Sequence, residues 1–358
     1  MELDMRHYID RQPDALRETI GRRAETSALF AELWGKTGAD RLYLVGSGTS
    51  GNAARAAAPF LQEVLDTEVT AVSPTSLPTM LKGKPFFLLV SQGGQSTNTV
   101  RAVEQTAAYP RMALTGETEC RINTICPHAV LVCGHEEAGP KTMGYTATIL
   151  TLYLMAMDAA LAAGRIEKEA YNTYLRKLEN TAGRMSENIA MAWQWVREAE
   201  RSLIRAKSWA AAGTGISRFV AEEAALKLME TLLRPGAGFE YEEYLHGPAM
   251  MLNDETGGMY LLPPKSSPDR QRMEALADIH VTFGSPVVTI GAGEHAERKD
   301  FRLTFAAEED AFLAPFWQIL PSQVMGAALP AVLGTEGKGH EIFQRIDKAV
   351  GVKCKDKT

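Results

Sequence analysis

Two short segments combine glycine with hydroxyl-bearing residues in a way that suits an anion. Gly46-Ser47-Gly48-Thr49-Ser50 and Ser91-Gln92-Gly93-Gly94-Gln95-Ser96 each follow an apolar, strand-like run and precede a helical pattern. Such a junction presents backbone N–H groups and hydroxyls at the positive end of a helix dipole. Neither segment carries the lysine of a G-x-x-x-x-G-K-S/T loop. The donors therefore suit a small phosphate monoester better than a nucleotide. Lys227 and Glu230, three apart on a helical stretch, by themselves describe an ordinary solvated ion pair. Cys126-Pro-His128 and Cys133-Gly-His135 have the donor types of a zinc site but not its spacing. They flank a strand-like run at 129–132, where cysteine serves as a small apolar residue, and no metal is expected. Trp193, Trp195 and Trp209 read as helix and core packing.

The elements that must hold these segments alternate. Arg41-Leu-Tyr-Leu-Val45 predicts a strand, 52–65 an alanine-rich helix, and 67–72 a second strand; Phe86-Phe-Leu-Leu-Val90 predicts a third, followed by a helix through Ala108. Met112-Ala-Leu114 and 129–132 continue the series. Short strands alternating with helices imply a parallel sheet covered on both faces, an α/β architecture. The same order restarts after a long helical stretch at 144–206: Ser208-Trp-Ala-Ala-Ala212 leads into Gly213-Thr-Gly-Ile-Ser217 and a helix, with later apolar runs at 259–262, 286–290 and 301–305 and helices near 268–283 and 310–332. Gly46-Ser-Gly and Gly213-Thr-Gly, each at a strand-to-helix junction, form a weak internal repeat. The expected organisation is an N-terminal helix at 1–35, a first sheet domain at 36–165, a helical connector at 166–206, a second sheet domain at 207–335 and a tail at 336–358.

Composition narrows the function. The 358 residues are 45% hydrophobic and 23% charged, with 30 Gly and 17 Pro, which excludes collagen-like and disordered chains. A net charge of −6 and dispersed basic residues, apart from Lys353, Lys355 and Lys357, leave no footprint for nucleic acid. Four cysteines and an N-terminus without a basic or apolar leader predict a cytoplasmic protein. The most apolar stretch, 143–163, contains Asp158 and several Thr and Ala, so a buried helix is expected and no membrane span.

These segments resemble the tandem sugar isomerase (SIS) domain family, in particular the isomerase half of glucosamine-6-phosphate synthase and the related amino-sugar deaminases and fructosamine-6-phosphate deglycases. The family loops C/S-G-T-S and S-Q-S-G-E-T correspond to Ser47-Gly48-Thr49-Ser50 and to Ser91, Gln92, Gly93 and Ser96 with the residues between. Ala225-Leu-Lys227-Leu-Met-Glu230 resembles A-L-K-L-K-E, and Glu243-Tyr-Leu-His246-Gly-Pro248 resembles E-L-K-H-G-P at the family's Glu-to-His spacing. Asp347-Lys348-Ala-Val350 resembles the L-A-K-S-V tail that closes the active site. The resemblance implies two similar doubly wound parallel-sheet domains. It also implies phosphate binding by the two loops, Glu230 as the base over C1–C2, Lys227 steadying charge, His246 as the ring-opening acid/base, Lys348 as an imine-forming amine and Glu243 orienting the His246 loop. A homodimer with a shared active site is implied as well. No organic cofactor is expected, because each role has a side chain to fill it. An N-terminal Cys-Gly glutaminase segment is absent from the sequence, so glutamine-derived ammonia is not expected.

Departures from the pattern bear on the reaction. Gly93 replaces a loop serine and removes one hydroxyl. Glu137-Ala-Gly-Pro-Lys141-Thr142-Met143-Gly144, with Lys141 as a substrate-binding residue, resembles the deglycases, whereas Lys227 resembles the synthase and the deaminases. The expected activity is isomerisation of an amino-sugar or Amadori-type hexose 6-phosphate through an enolamine with release of the amine. The alternatives are a plain aldose–ketose phosphosugar isomerase and a non-catalytic phosphosugar-binding regulator.

Overall fold

A computed structural model describes residues 4–136 and 138–354. The chain forms two compact units that interleave along the sequence: one holds Asp14–Glu137, Met143–Glu179 and His340–Thr358, the other Met1–Pro13, Ala138–Thr142 and Asn180–Gly339.

The N-terminal region is two helices, α1 (Met5–Gly21) and α2 (Arg23–Thr37), where a single helix was expected. They break at Arg22, whose φ of −95° and ψ of 11° leave the helical basin. The first sheet contains β1 (Arg41–Val45), β2 (Glu68–Val72), β3 (Pro85–Ser91), β4 (Arg111–Thr115) and β5 (Ala129–Leu131). All its pairs are parallel and its order is β2-β1-β3-β4-β5. Between the strands run α3 (Gly48–Leu65), α4 (Thr97–Gln105) and α5 (Arg121–Ile125); α6 (Met143–Ala162) and α7 (Lys168–Leu203) follow. Every residue of β3 is buried, as its unbroken apolar run requires of a strand covered on both faces. Successive side chains alternate: Phe86 packs on Phe30 and Trp34 of α2, while Phe87 stacks on Tyr43 within the cluster that includes Val100 and Ile122.

The second sheet contains β6 (Ser208–Gly213), β7 (Gly236–Glu240), β8 (Thr256–Leu261), β9 (Val287–Gly293), β10 (Glu297–Lys299) and β11 (Arg302–Ala306), ordered β10-β11-β9-β8-β6-β7. Only the β10 edge is antiparallel. Its helices are α8 (Ile216–Leu232), α9 (Tyr241–Leu245), α10 (Asp269–Thr282), α11 (Ala314–Gln318) and α12 (Leu320–Leu333). Without β10, the order repeats that of the first sheet, so the chain is a pair of similar doubly wound α/β units, as the repeat implied. A closing helix, α13 (Lys338–Val350), falls almost wholly in the first-sheet unit.

The division of the chain differs from the expected one. The connector is part of one 36-residue helix, α7, whose residues up to Glu179 belong to one unit and from Asn180 to the other. From His340 onward the tail groups with the first sheet. The helix expected at 310–332 is α11 and α12, and β7 and β10 were not anticipated. Two stretches, Met143–Ala162 and Ala314–Leu333, are long and apolar enough to cross a membrane by length and composition, and both are mostly buried within the protein.

Candidate functional site

In an open α/β sheet, ligands bind beyond the carboxyl ends of the strands where the strand order reverses. In the first sheet that point lies between β1 and β3, and the loops that follow them are the two hydroxyl-rich segments. Gly48 adopts a left-handed φ of +55°, which lets the chain turn directly from β1 into α3. At Gly46 a Cβ would lie 3.0 Å from Val90 O, so glycine permits the close approach of the two strand ends. The loops interlock: Gln92 N–H donates to Ser50 Oγ at 3.3 Å, and Asn98 Nδ2 donates to Ser47 Oγ at 2.7 Å. Ser47 and Ser96 occupy the N-cap positions of α3 and α4 without their side chains capping the helix. Ser47, Thr49, Ser50, Gln92, Gly93 and Ser96 are half-buried, Gly48 is exposed and Ser91 is buried.

Gln92 is an anchor of this arrangement. Its Nε2 donates to Gly134 O at 3.3 Å, and its amide fills spaces that only glycines at 116 and 144 leave open. The C-terminal segment runs along the second loop. Thr97 N–H donates to Val352 O at 3.0 Å, Cys354 N–H donates to Gln95 O at 2.8 Å, and Thr97 Oγ1 donates to Gly351 O. Lys348 lies on the last turn of α13, exposed, its side chain without a hydrogen bond or ion pair among the described residues.

The second-sheet unit gathers the expected acid/base residues on α8 and the α9 loop, both packed on β7. Lys227 is fully buried; its Nζ donates to Glu230 Oε2 at 2.5 Å and lies 3.3 Å from Glu223 Oε1. A buried ammonium is tolerated only with such partners. Glu223 is also buried, while Glu230 keeps 37% of its side chain exposed, so one carboxylate neutralises the lysine internally and the other faces outward. His246 is exposed at the C-cap of α9 and its N–H donates to Glu242 O. Glu243 is exposed; its backbone N–H donates to the Glu240 carboxylate that caps α9. Glu242, which bonds Arg272, has its carboxyl held below the ordinary range by that guanidinium.

Lys141 is half-buried, and the neighbouring Thr142 O accepts from Gln323 Nε2 of α12, which in turn is bonded by Gln12. Glu137 lies outside the described residues. Among the described residues no three His, Cys, Asp or Glu side chains gather as a metal site. Burial pushes the Cys126 and Cys133 thiols up, away from the thiolate a metal would need, and His135 pairs with Glu117. Asn98, Glu223 and Glu136 escaped the sequence reading. Glu136 is buried, and its carboxylate accepts the Gly144 N–H at the start of α6. The i−4 spacing of Glu223 from Lys227 was the available signal.

Two doubly wound sheets, the first with hydroxyl-rich loops at its reversal point and the second with a buried lysine–glutamate cluster on the helix after its first strand, give the chain the fold of tandem sugar isomerase domain proteins. The chain is similar to the isomerase half of glutamine–fructose-6-phosphate aminotransferase and to solved structures of phosphosugar isomerases. It is 25% identical over 330 residues to that enzyme from Streptococcus agalactiae, covering 88% of this chain and 54% of the relative. The chain thus spans about half the length of the curated relatives it matches. A protein from Clostridium difficile 630 assigned as a phosphosugar isomerase superposes with a TM-score of 0.85 at 25% identity, over 93% of this chain and 94% of its own. A protein from Salmonella typhimurium LT2 assigned as sugar-binding superposes with a TM-score of 0.81 at 26% identity, over 91% and 99%. No protein-family profile matches the chain.

Proposed function

We propose that the chain acts on a hexose 6-phosphate bearing nitrogen at C1 or C2. Glu230 takes the proton from one of these carbons and returns it to the other through an enolamine. The resulting imine is hydrolysed, water supplying the oxygen as the amine leaves. The phosphate ester is assigned to Ser47, Thr49, Ser50 and Ser96 with the helix termini behind them. His246 is assigned to ring opening, Glu243 to orienting its loop, Lys348 to imine formation and Lys141 to the substrate.

The observation that carries this reading is the wholly buried Lys227 bonded to Glu230 at 2.5 Å. A surface ion pair needs no such burial, whereas a base beside a developing oxyanion benefits from a fixed positive charge shielded from water. The relatives' name, an aminotransferase of fructose 6-phosphate, agrees with nitrogen on the sugar. The test is to incubate the purified protein with glucosamine 6-phosphate, fructosamine 6-phosphates and ketose 6-phosphates while ammonia, free amino acid and hexose 6-phosphate are measured. Ammonia marks a deaminase and an amino acid a deglycase; isomerised sugar without amine loss replaces the proposal with a plain isomerase. Glu230→Gln is expected to lower turnover roughly 10²- to 10⁴-fold, and full activity in that variant removes Glu230 as the base. The likeness to a sugar-binding protein favours a second reading, a sensor. Stabilisation by one of these phosphates with no turnover would select it.

A further inference from the structure

The second sheet reverses its strand order between β6 and β8, and beyond those strand ends lies a cleft of about 180 Å³. Thr214, Arg270, Glu309, Asp310, Trp317 and Gln318 are among its walls, all from the second-sheet unit. None of the residues assigned to phosphate recognition or proton transfer lines it.

Two walls carry polar groups left without partners among the described residues. Gln318 is 1% exposed; its Nε2 donates to Leu262 O at 3.2 Å, while its Oε1 has no hydrogen-bond partner among the described residues. Trp317 is 3% exposed and its Nε1 is likewise unpartnered. An orphaned buried acceptor and an orphaned buried donor on consecutive lining residues carry a cost that a ligand able both to donate and to accept would remove. A hydroxyl does both.

The surrounding chemistry excludes a phosphate. The chain leaves β8 through Pro263 and Pro264, which have no backbone N–H to offer an anion. The carboxylates of Glu309 and Asp310 line the cleft, and Arg270 is already engaged by Glu274 and Pro263 O. We infer that this cleft is a second small-molecule site, for an uncharged polyhydroxylated ligand about the size of one sugar ring. Its hydroxyls donate to Gln318 Oε1 and the carboxylates and accept from Trp317 Nε1 and Thr214.

The experiment uses the full chain with glucose, sorbitol and glucose 6-phosphate as probes, binding being followed by calorimetry and thermal shift. Trp317→Phe removes the indole N–H and keeps an aromatic ring; Gln318→Met removes the acceptor; Thr49→Val alters the first-sheet loop. Circular dichroism and the unliganded Tm establish that each variant is folded. Saturable binding of glucose or sorbitol is expected, weakened roughly 5- to 10-fold by Trp317→Phe and unchanged by Thr49→Val. Absence of saturable binding by either uncharged probe overturns the inference. So does uncharged-probe binding that responds to Thr49→Val and not to Trp317→Phe, and so does a cleft that answers only to the phosphorylated probe. No turnover is read, so the outcome is independent of the proposed reaction.

Discussion

The turns after β1 and β6 can be laid one on the other. Gly46-Ser47-Gly48-Thr49-Ser50 corresponds to Gly213-Thr214-Gly215-Ile216-Ser217, and the central glycines share a left-handed φ, +55° at Gly48 and +52° at Gly215. The backbone device is the same, but Ile216 stands where Thr49 supplies a hydroxyl. After the third strand of each sheet the difference widens: Gln92, Gly93 and Gly94 keep their backbone N–H groups, whereas Pro263 and Pro264 have none. Meanwhile the second-sheet unit buries the Lys227 cluster on the helix after its first strand, where the first-sheet unit has the alanine-rich α3. Duplicated topology thus fixes where a crevice forms, and a few substitutions at the turns decide what each crevice can hold.

The sharpest way to break this contrast is at Lys227. Lys227→Met would leave the Glu223 carboxylate buried without its counter-charge, a change expected to cost about 3–5 kcal/mol of stability. The companion change Glu223→Gln in the same chain should return much of that loss, because it removes the stranded charge. Urea unfolding of the single and double variants checks both statements. A Lys227→Met protein as stable as the parent would mean that the cluster is not held together by charge.

What the sequence disclosed follows from how local each signal is. The phosphate-suited loops were legible because glycine and hydroxyl residues at a strand-to-helix junction act through their own backbone. β7 was not, since Gly236-Ala-Gly-Phe-Glu240 has no β-branched run; there glycine serves packing, and a Cβ at Gly238 would sit 2.3 Å from Glu222 N of α8. The burial of Lys227 was equally hidden, because a three-residue spacing of Lys and Glu reads the same in water as in a core. The bond from Thr97 to Val352 joins positions far apart in the chain, and no local pattern announces it. Lys348, singled out by resemblance, is exposed on α13 with nothing about it that a sequence or its burial distinguishes from a solvated lysine.

A smaller effect separates the units by pH. Among the described residues His280 is the one buried histidine, and it belongs to the second-sheet unit. Its Nε2 lies 2.8 Å from Thr256 O, an atom that only accepts, so Nε2 carries the proton and Nδ1 accepts from Tyr260 O–H at 2.9 Å. Burial lowers the pKa of His280 below its ordinary value, and the neutral ring is the folded form. The stability it contributes is therefore complete above about pH 6.5 and declines as the pH falls toward the folded value, by at most about 1.4 kcal/mol per pH unit. Hydrogen-exchange protection factors, corrected for the intrinsic pH dependence of exchange, are expected to fall at β8 and α10 between pH 7.5 and 5.5 more than at β3. A His280→Gln variant should lose that excess; an equal fall in protection in both sheets would assign the acid sensitivity to other groups.

The mildest change tests the first crevice from the opposite direction, by adding a group. A Cβ at Gly93 would meet nothing within 4 Å, and its φ does not lie in the left-handed range, so Gly93→Ser should alter stability by less than about 0.5 kcal/mol. The new hydroxyl would stand in the loop whose neighbours are already committed, Gln92 to Gly134 and the Gln95 carbonyl to Cys354. If the loop cradles a phosphate ester, one added donor should tighten binding of a hexose 6-phosphate roughly 2- to 10-fold, with no gain for the unphosphorylated sugar. The same variant should leave the second cleft's preference for uncharged probes untouched, because Pro263 and Pro264 rather than hydroxyl count exclude the phosphate there. Unchanged affinity for the phosphate would place the ester away from Gly93 and leave the β1–α3 turn as the only cradle in the first sheet.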